Sequence, residues 1–342
     1  MKAIVRQVYG PPEVLELEDV VIPQPTENEI LIRIHAASIN LGDWELLTGR
    51  PRFISALAHL FSGKQQYEFA PTSVTAEKDG MFSPKAKILG TDIAGCVEAI
   101  GKEVTQFRVG DEIFGMTERF GAFAEYVCVA ETTPMVKKPE SMSFEQAAAL
   151  PQATHIALQA IRDKAQVQPG QTVLINGAGG GAGTLAVQLA KMYRAEVTGV
   201  DGPTKLEMLR NIGADHVIDY TQEDFNRNGQ QYDAILDMAA FRNIFKSRRS
   251  LAESGIYLMG GGSGTATWQS ALLGPVISRF DSRRTEFLFA ESRRQDLIDI
   301  GNLFEEGKIT PVLDRSYPLQ EAGDALRRVG EKQGIGKVII VP

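Results

Sequence analysis

At 342 residues, with 43% hydrophobic and 23% charged side chains, the chain has room for two domains and the composition of an ordinary water-soluble protein. A net charge of -7 argues against a protein that grips a nucleic-acid backbone, and no apolar run is long enough to span a bilayer. Two cysteines outside any Cys-x-x-Cys pair exclude a four-thiolate zinc site and a disulfide framework, and the N-terminus MKAIVRQVYG lacks a signal-peptide core, so the expected location is the cytoplasm.

From Met1 to about Val129 the sequence has strand and turn character. Glu29 to Ile34 places Ile30, Ile32 and Ile34 in alternation with Leu31 and Arg33, and GCVEAIGKEV, FRVGDEIFG and GAFAEYVCVA are short apolar runs cut by Gly-Asp or Gly-Ala turns. This region is expected to fold as a mostly β domain. Inside it, Phe53, Leu57, Leu60 and Phe61 at helical spacing predict an amphipathic helix over Arg52 to Ser62, followed from Gly63 to Lys87 by a polar connection without periodicity. Cys96 and Cys128 read as buried small hydrophobes.

Ser143-Phe-Glu-Gln146 is a capping-box pattern opening a short helix that Pro151 interrupts, and a second helix is expected near Thr154 to Lys164. Pro169-Gly170 then turns the chain into Thr172–Lys191, TVLINGAGGGAGTLAVQLAK. This stretch reads as strand, glycine turn, helix. Its glycines suit positive φ and close approach of a ligand to bare backbone, and the N-H groups at the helix start favour a pyrophosphate. The strict G-x-G-x-x-G pattern is absent; Gly177-x-Gly179-x-x-Ala182 and Ala178-x-Gly180-x-x-Gly183 each replace one glycine by alanine.

Strand and helix alternation follows. Strands are expected at Glu196 to Val200, ending at Asp201, at His216 to Ile218, ending at Asp219-Tyr220, at Ala234 to Asp237 and at Ile256 to Met259, the last running into Gly260-Gly261-Gly262. A helix from Leu206 to Ile212 stops at Gly213. Such alternation implies a doubly wound parallel sheet. Helices near Gln295 to Glu306 and Gln320 to Val329 and a strand Lys337 to Val341 close the chain. The arginine pairs at Arg248, Arg283 and Arg293 read as solvated helix faces.

Asp201 lies about 20 residues beyond the turn, where an acidic group ending the second strand accepts from the adenosine ribose; a helix cap is its other reading. Lys205 and Tyr220 could hold a 2'-phosphate by charge and contact, although Asp201 would repel one; a solvated lysine and a tyrosine packed at a strand end are their other readings.

GAGGGAG, VTGVDGPTKLEMLRNIGADHVIDYTQEDF, VGDEIFG with GAFAEYV, and the terminal GKVII together resemble the medium-chain dehydrogenase/reductase superfamily, and within it the zinc-free quinone oxidoreductase branch, the relatives of zeta-crystallin. The resemblance implies an α/β protein with a GroES-like catalytic domain over 1–129, completed by about 303–342, and a Rossmann NAD(P)-binding domain over 130–302, with the active site in the cleft between them. It also suggests a homodimer.

Zinc-dependent members carry Cys-His where this chain has Asn40-Leu41-Gly42-Asp43, and Gly-His-Glu where it has Gly90-Thr91-Asp92, so no catalytic metal is expected. His35, His59, His155 and His216 are given packing or surface roles. Zinc-free relatives carry Asn-x-x-Asp-x-Tyr, whose asparagine lies near the nicotinamide ribose and whose tyrosine faces the substrate. Asn40 and Asp43 match that pattern, with a turn residue and a helix cap as their plainer readings, and Glu45 replaces the tyrosine. Burial in the cleft would raise its pKa and let Glu45 orient substrate or donate a proton; a solvated helix glutamate is the alternative. Thr154 stands near the position where relatives have a cofactor-touching threonine.

The resemblance therefore implies a zinc-independent NADPH- or NADH-dependent reductase of quinones or of the activated double bond of α,β-unsaturated carbonyls. Gly180, Gly181, Ala182 and Gly183 would take the pyrophosphate, Asp201, Lys205 and Tyr220 the adenosine end, and Gly260, Gly261 and Gly262 would admit the nicotinamide end. The partner is a small molecule, with no nucleic acid and no membrane. A dinucleotide-binding redox sensor or structural protein with little turnover is the alternative.

Overall fold

The computed structural model describes residues 1–49, 84–262, 266–267 and 269–342. These divide into one unit of Met1–Gln152, Glu291–Gly307 and Pro311–Pro342, and a second of Ala153–Ala290 with Lys308–Thr310. The expected helix at Arg52 to Ser62 and nearly all of the connection to Lys87 lie outside the described residues.

In chain order the first unit contributes β1 (Lys2–Arg6), β2 (Leu15–Asp19), β3 (Glu29–Ser38), α1 (Leu41–Thr48), β4 (Asp92–Ile100), β5 (Glu112–Met116), β6 (Tyr126–Ala130), β7 (Met135–Lys137) and α2 (Phe144–Ala148). Helix α3 (Pro151–Leu158) leads into the second unit, with β8 (Thr172–Asn176), α4 (Gly181–Met192), β9 (Glu196–Asp201), α5 (Leu206–Asn211), β10 (His216–Asp219), β11 (Tyr232–Asp237), β12 (Leu251–Met259) and β13 (Arg284–Phe287). The first unit then resumes with α6 (Arg294–Glu305), β14 (Leu313–Pro318), α7 (Ala322–Gly330) and β15 (Lys337–Val341).

A seven-stranded sheet ordered β14-β15-β3-β4-β5-β7, with β6 also on β3, forms the first unit. The alternation holds for Ile30, Ile32 and Ile34, which are all buried, and Leu31 is buried as well; the pairing of β3 with β4 shifts register between Leu31 and Ile32 and between Ile34 and Ala36. The isoleucines pack with Leu47, Ile93, Ile113, Phe123, Leu326 and Ile340 in one core. This unit runs past residue 129 because β7 pairs with β5 and because Arg294 of α6 donates to the carbonyls of Glu131 and Thr133 at 2.9 and 3.1 Å. Its last strand, β15, lies antiparallel beside β3, so the C-terminal strand joins the sheet that β3 and β4 build, while β1 and β2 pair in a small sheet of their own.

In the second unit six parallel strands take the order β10-β9-β8-β11-β12-β13. The chain winds outward from β8 to β10, then restarts on the other side of β8, so the strand order reverses between β8 and β11. Helix α3 begins at Pro151 rather than at Thr154, since the first helical position tolerates a residue without an N-H.

Two sequence expectations change. Arg248 is buried, donating to Thr285 Oγ1 at 2.6 Å and to the Asp281 carboxylate at 2.8 Å, where a solvated helix face was expected. Cys96 and Cys128 are half-buried free thiols whose pKa burial raises, that of Cys128 to about 11. His35 stacks on Phe144 with ring centroids 4.3 Å apart, His216 meets Glu196 at 2.9 Å, and His155 is fully buried.

Candidate active site

In the second unit the turn after β8 has one conformation that favours glycine and one close approach that only glycine allows. Gly177 has φ +78°, and a Cβ on Gly183 would stand 2.3 Å from the Gly177 carbonyl oxygen and 2.7 Å from Ala178 Cα. The working frame is therefore Ala178-x-Gly180-x-x-Gly183, with Gly183 pressing the helix onto the turn. Gly180 is the N-cap of α4, and a Cβ there would meet nothing nearer than 3.4 Å. Helix geometry leaves the N-H groups of Gly181, Ala182 and Gly183 without intrahelical partners, and with the helix dipole they form a site for an anion. The turn sits at the carboxyl end of β8, beside the point where strand order reverses.

Asp201, at the end of β9, is engaged inside the protein. Its Oδ2 accepts from the Gly179 N-H and its Oδ1 from the Gly202 N-H, both at 2.8 Å, and Lys205 Nζ lies 3.4 Å from Oδ1. Both partners of this ion pair are nearly buried. Asp201 thus braces the glycine turn, and Lys205 neutralises the charge expected to repel a 2'-phosphate. Tyr220 is exposed, its ring near Gly202.

The other predicted cofactor residues are placed differently. The Thr154 hydroxyl is fully buried in α3 and has no hydrogen-bond partner among the described residues. Around Gly260, Gly261 and Gly262 the space a Cβ would occupy is filled by the segment from Met238 to Ala240: the Met238 sulfur at 2.5 Å from a Cβ on Gly260, and the Ala240 carbonyl oxygen at 2.0 Å from one on Gly262. The three glycines let β12 close against the loop after β11. That loop is itself held by a buried carboxylate: Asp237 accepts from Asn176 Nδ2 at 2.7 Å and from Tyr257 OH at 2.8 Å, linking β8, β11 and β12 across the reversal point.

In the first unit Asn40 is the N-cap of α1. The Asp43 carboxylate accepts from the Asn40 N-H at 2.8 Å and from the Gly90 N-H at 3.2 Å, closing the first turn and tying it to the segment before β4. Burial pushes the Asp43 carboxyl up to about 7, opposed by the Asn40 hydrogen bond and reinforced by the nearby charge of Asp92. Glu45 lies one position beyond Trp44 on the same helix, and burial alone raises its carboxyl to about 7. No side chain among the described residues hydrogen-bonds to it. A carboxylic acid that titrates near neutrality can hold a proton and release it.

Three residues outside the sequence prediction complete this cluster. Asp92 Oδ2 accepts from Ser38 Oγ, Asn40 Nδ2 and Lys337 Nζ, each at 3.1 Å, and Lys337 Nζ also donates to Asn40 Oδ1 at 2.6 Å. Asp92 is fully buried and Lys337 nearly so. The available signal was a charged residue at the head of each of two apolar strand runs, DIAGCV and KVIIV.

Residues 26–140 match the family described as alcohol dehydrogenase GroES-like domain, and residues 212–340 the family described as zinc-binding dehydrogenase. The chloroplast envelope quinone oxidoreductase homolog of Arabidopsis thaliana is 29% identical over 96% of this chain and 94% of its own length. The chain thus carries the two domain families of the medium-chain dehydrogenase/reductase superfamily. A second relative, the chloroplastic NADPH-dependent alkenal/one oxidoreductase of Arabidopsis thaliana, is 29% identical over 100% of this chain and 80% of its own. The quinone oxidoreductase of Coxiella burnetii superposes with a TM-score of 0.83 at 29% identity, covering 100% of this chain and 99% of the other. A medium-chain dehydrogenase/reductase combines a GroES-like domain with a Rossmann-type parallel-sheet domain, and both are present here. Although one matching family is named for zinc, no group of three or more His, Cys, Asp and Glu among the described residues is arranged to hold a metal ion. No helix of the described residues is long and apolar enough to cross a membrane.

Proposed function

We propose that the chain is an NADPH-dependent reductase that delivers hydride to a quinone or to the activated double bond of an α,β-unsaturated carbonyl, without a metal. The observation that carries this reading is the Gly183 close approach together with the open Gly180 N-cap at the reversal point of the parallel sheet, a cradle shaped for a dinucleotide pyrophosphate. It is supported by relatives of the full chain length that are named as quinone and alkenal/one oxidoreductases.

Bound nicotinamide would supply the hydride. The N-H groups of Gly181, Ala182 and Gly183 would take the pyrophosphate, and Lys205 and Tyr220 the 2'-phosphate, with Asp201 acting as the brace of the turn. Thr154 and the glycines Gly260, Gly261 and Gly262 would shape the protein around the cofactor from behind, because their own contacts are internal. Asn40 is assigned, on the resemblance, to orienting the reacting end of the cofactor, and Asp43 to holding the helix turn that carries Asn40. Glu45 in its protonated form would give a proton to the reduced acceptor. Quinones and enones accept hydride at electron-poor positions without a Lewis acid, which suits a chain that carries Asn40, Asp43, Gly90 and Asp92 where zinc-dependent members carry Cys-His and Gly-His-Glu.

Binding of a small-molecule acceptor, a cytoplasmic location and a homodimer extend the same reading. Stopped-flow oxidation of NADPH and NADH against matched panels of quinones and enones tests it: the expected result is acceptor-dependent oxidation with NADPH preferred, and no oxidation with any acceptor defeats the proposal. Light scattering on the purified protein checks the dimer.

A further inference from the structure

The Asn40 side chain stands between a group that can only donate and one that can only accept. Lys337 Nζ donates to Oδ1 at 2.6 Å, and Asp92 Oδ2 accepts from Nδ2 at 3.1 Å. A flipped amide would set Nδ2 against the ammonium and Oδ1 against the carboxylate, losing both hydrogen bonds and leaving donor facing donor and acceptor facing acceptor. One orientation therefore survives. Asn40 is only half-buried, so its second amide hydrogen remains for a ligand, while the capping box turns its side-chain oxygen toward the Asp43 N-H.

The cost of this arrangement is visible in its burial. Asp92 and Lys337 have side chains exposed by 0% and 6%, and their separation is 3.1 Å. A buried ion pair gains little stability over well-packed apolar residues, because desolvation consumes the Coulombic attraction. Three strands nonetheless meet to build it: β3 supplies Ser38 and leads to Asn40, β4 begins at Asp92, and β15 begins at Lys337. Asp92 Oδ2 collects all three donors, while its Oδ1 is buried without a partner among the described residues. Stability alone gives no reason to keep such a pair, whereas fixing the direction of one amide does.

We propose that Asp92 and Lys337 are positioning residues that lock the Asn40 amide in a single orientation toward the bound ligand. The proposal rests on the reading of Asn40 as the residue that orients the reacting end of the cofactor.

The test compares wild type, Asn40→Ala, Lys337→Met, Asn40→Ala/Lys337→Met and Asp92→Asn/Lys337→Met, each checked for folding by circular dichroism and for acceptor-dependent NADPH oxidation. The Asp92→Asn/Lys337→Met variant removes both charges together, so it leaves no buried carboxylate unpaired if the single lysine variant fails to fold. The expected result is that either lysine variant lowers kcat by at least about tenfold, while Lys337→Met added to Asn40→Ala lowers it no further, because the lysine acts only through the asparagine. Equal losses from Lys337→Met with and without Asn40, or wild-type kcat in the folded lysine variants while Asn40→Ala is impaired, overturn the positioning role alone. Wild-type kcat in Asn40→Ala overturns the reading of Asn40 itself, and the positioning role with it.

Discussion

Asp201 accepts a hydrogen bond from the Gly179 N-H at 2.8 Å and pairs with Lys205 at 3.4 Å, so the carboxylate that ends the second strand of the nucleotide fold is part of the glycine turn itself. Removing it with Asp201→Ala leaves the Gly179 and Gly202 N-H groups and a nearly buried ammonium without their acceptor. Isothermal titration should show weaker binding of NADH and NADPH alike, by about tenfold or more. Lys205→Ala removes the ammonium paired with Asp201 but leaves the two hydrogen bonds of that carboxylate, so it should weaken both dinucleotides modestly and NADPH further, since only NADPH carries the 2'-phosphate. A selective gain of NADPH affinity in Asp201→Ala would contradict the bracing role.

Gly180 and Gly183 make a matched pair of substitutions. Alanine at Gly183 drives a Cβ to 2.3 Å from the Gly177 carbonyl oxygen, and relief requires the helix to move off the turn. Gly183→Ala is expected to lose on the order of 2–4 kcal/mol in urea unfolding. Gly180→Ala has room for its Cβ and φ of -86°, so it should unfold within about 1 kcal/mol of wild type while dinucleotide affinity falls, because the new methyl group stands where a ligand approaches. Equal stability of the two variants would show that the turn is looser than described.

Burial raises the Glu45 carboxyl from 4.5 to about 7, which fixes the sign of its pH dependence. Between these values the folded protein keeps a proton that the unfolded chain has released, so the relative stability present at low pH is lost as pH rises through about 7. Glu45→Gln has no such loss and should gain on wild type by on the order of 2 kcal/mol between about pH 5 and pH 8, measured by urea unfolding. If the protonated acid serves turnover, kcat of wild type falls above about pH 7 and that limb is absent in the variant. Asp43 is raised to about 7 as well, so Asp43→Asn is the control: a limb that belongs to Glu45 persists in it.

Tyr257 donates to the buried Asp237 carboxylate at 2.8 Å, and Asn176 donates to its other oxygen at 2.7 Å. Tyr257→Phe removes one donor and leaves the buried carboxylate under-paired. A destabilisation of about 1–3 kcal/mol is expected in thermal or urea unfolding. Hydrogen exchange should speed up first at the amides of the loop from Met238 to Ala240, which this carboxylate holds.

The second unit was legible from the chain alone because its information is local. Strand, turn and helix of Thr172 to Lys191 follow one another without a break, and each later strand ends at a readable residue such as Asp201 or Asp219. The terminal strand Lys337–Val341 and the capping box at Ser143 and Gln146 were legible for the same reason: propensity, capping and turn chemistry act over a few residues. The candidate catalytic cluster was legible only in part. Asn40, Asp43 and Glu45 share one short helix and could be found together, whereas Ser38, Asp92 and Lys337 come from three strands, and Lys337 is 297 residues from Asn40.

What a side chain does inside the fold was the other thing that pattern could not give. Spacing identified Asp201 as the acidic end of β9, but its two hydrogen bonds depend on how β9 lies against the glycine turn. Spacing also marked Gly260, Gly261 and Gly262, but which atoms would meet their missing Cβ depends on the segment from Met238 to Ala240. The sequence by itself determined the two kinds of domain and the dinucleotide turn, through short-range periodicity and glycine geometry. Tertiary structure decided which charges are buried together, because desolvation and pairing are properties of neighbours in space and not of neighbours along the chain.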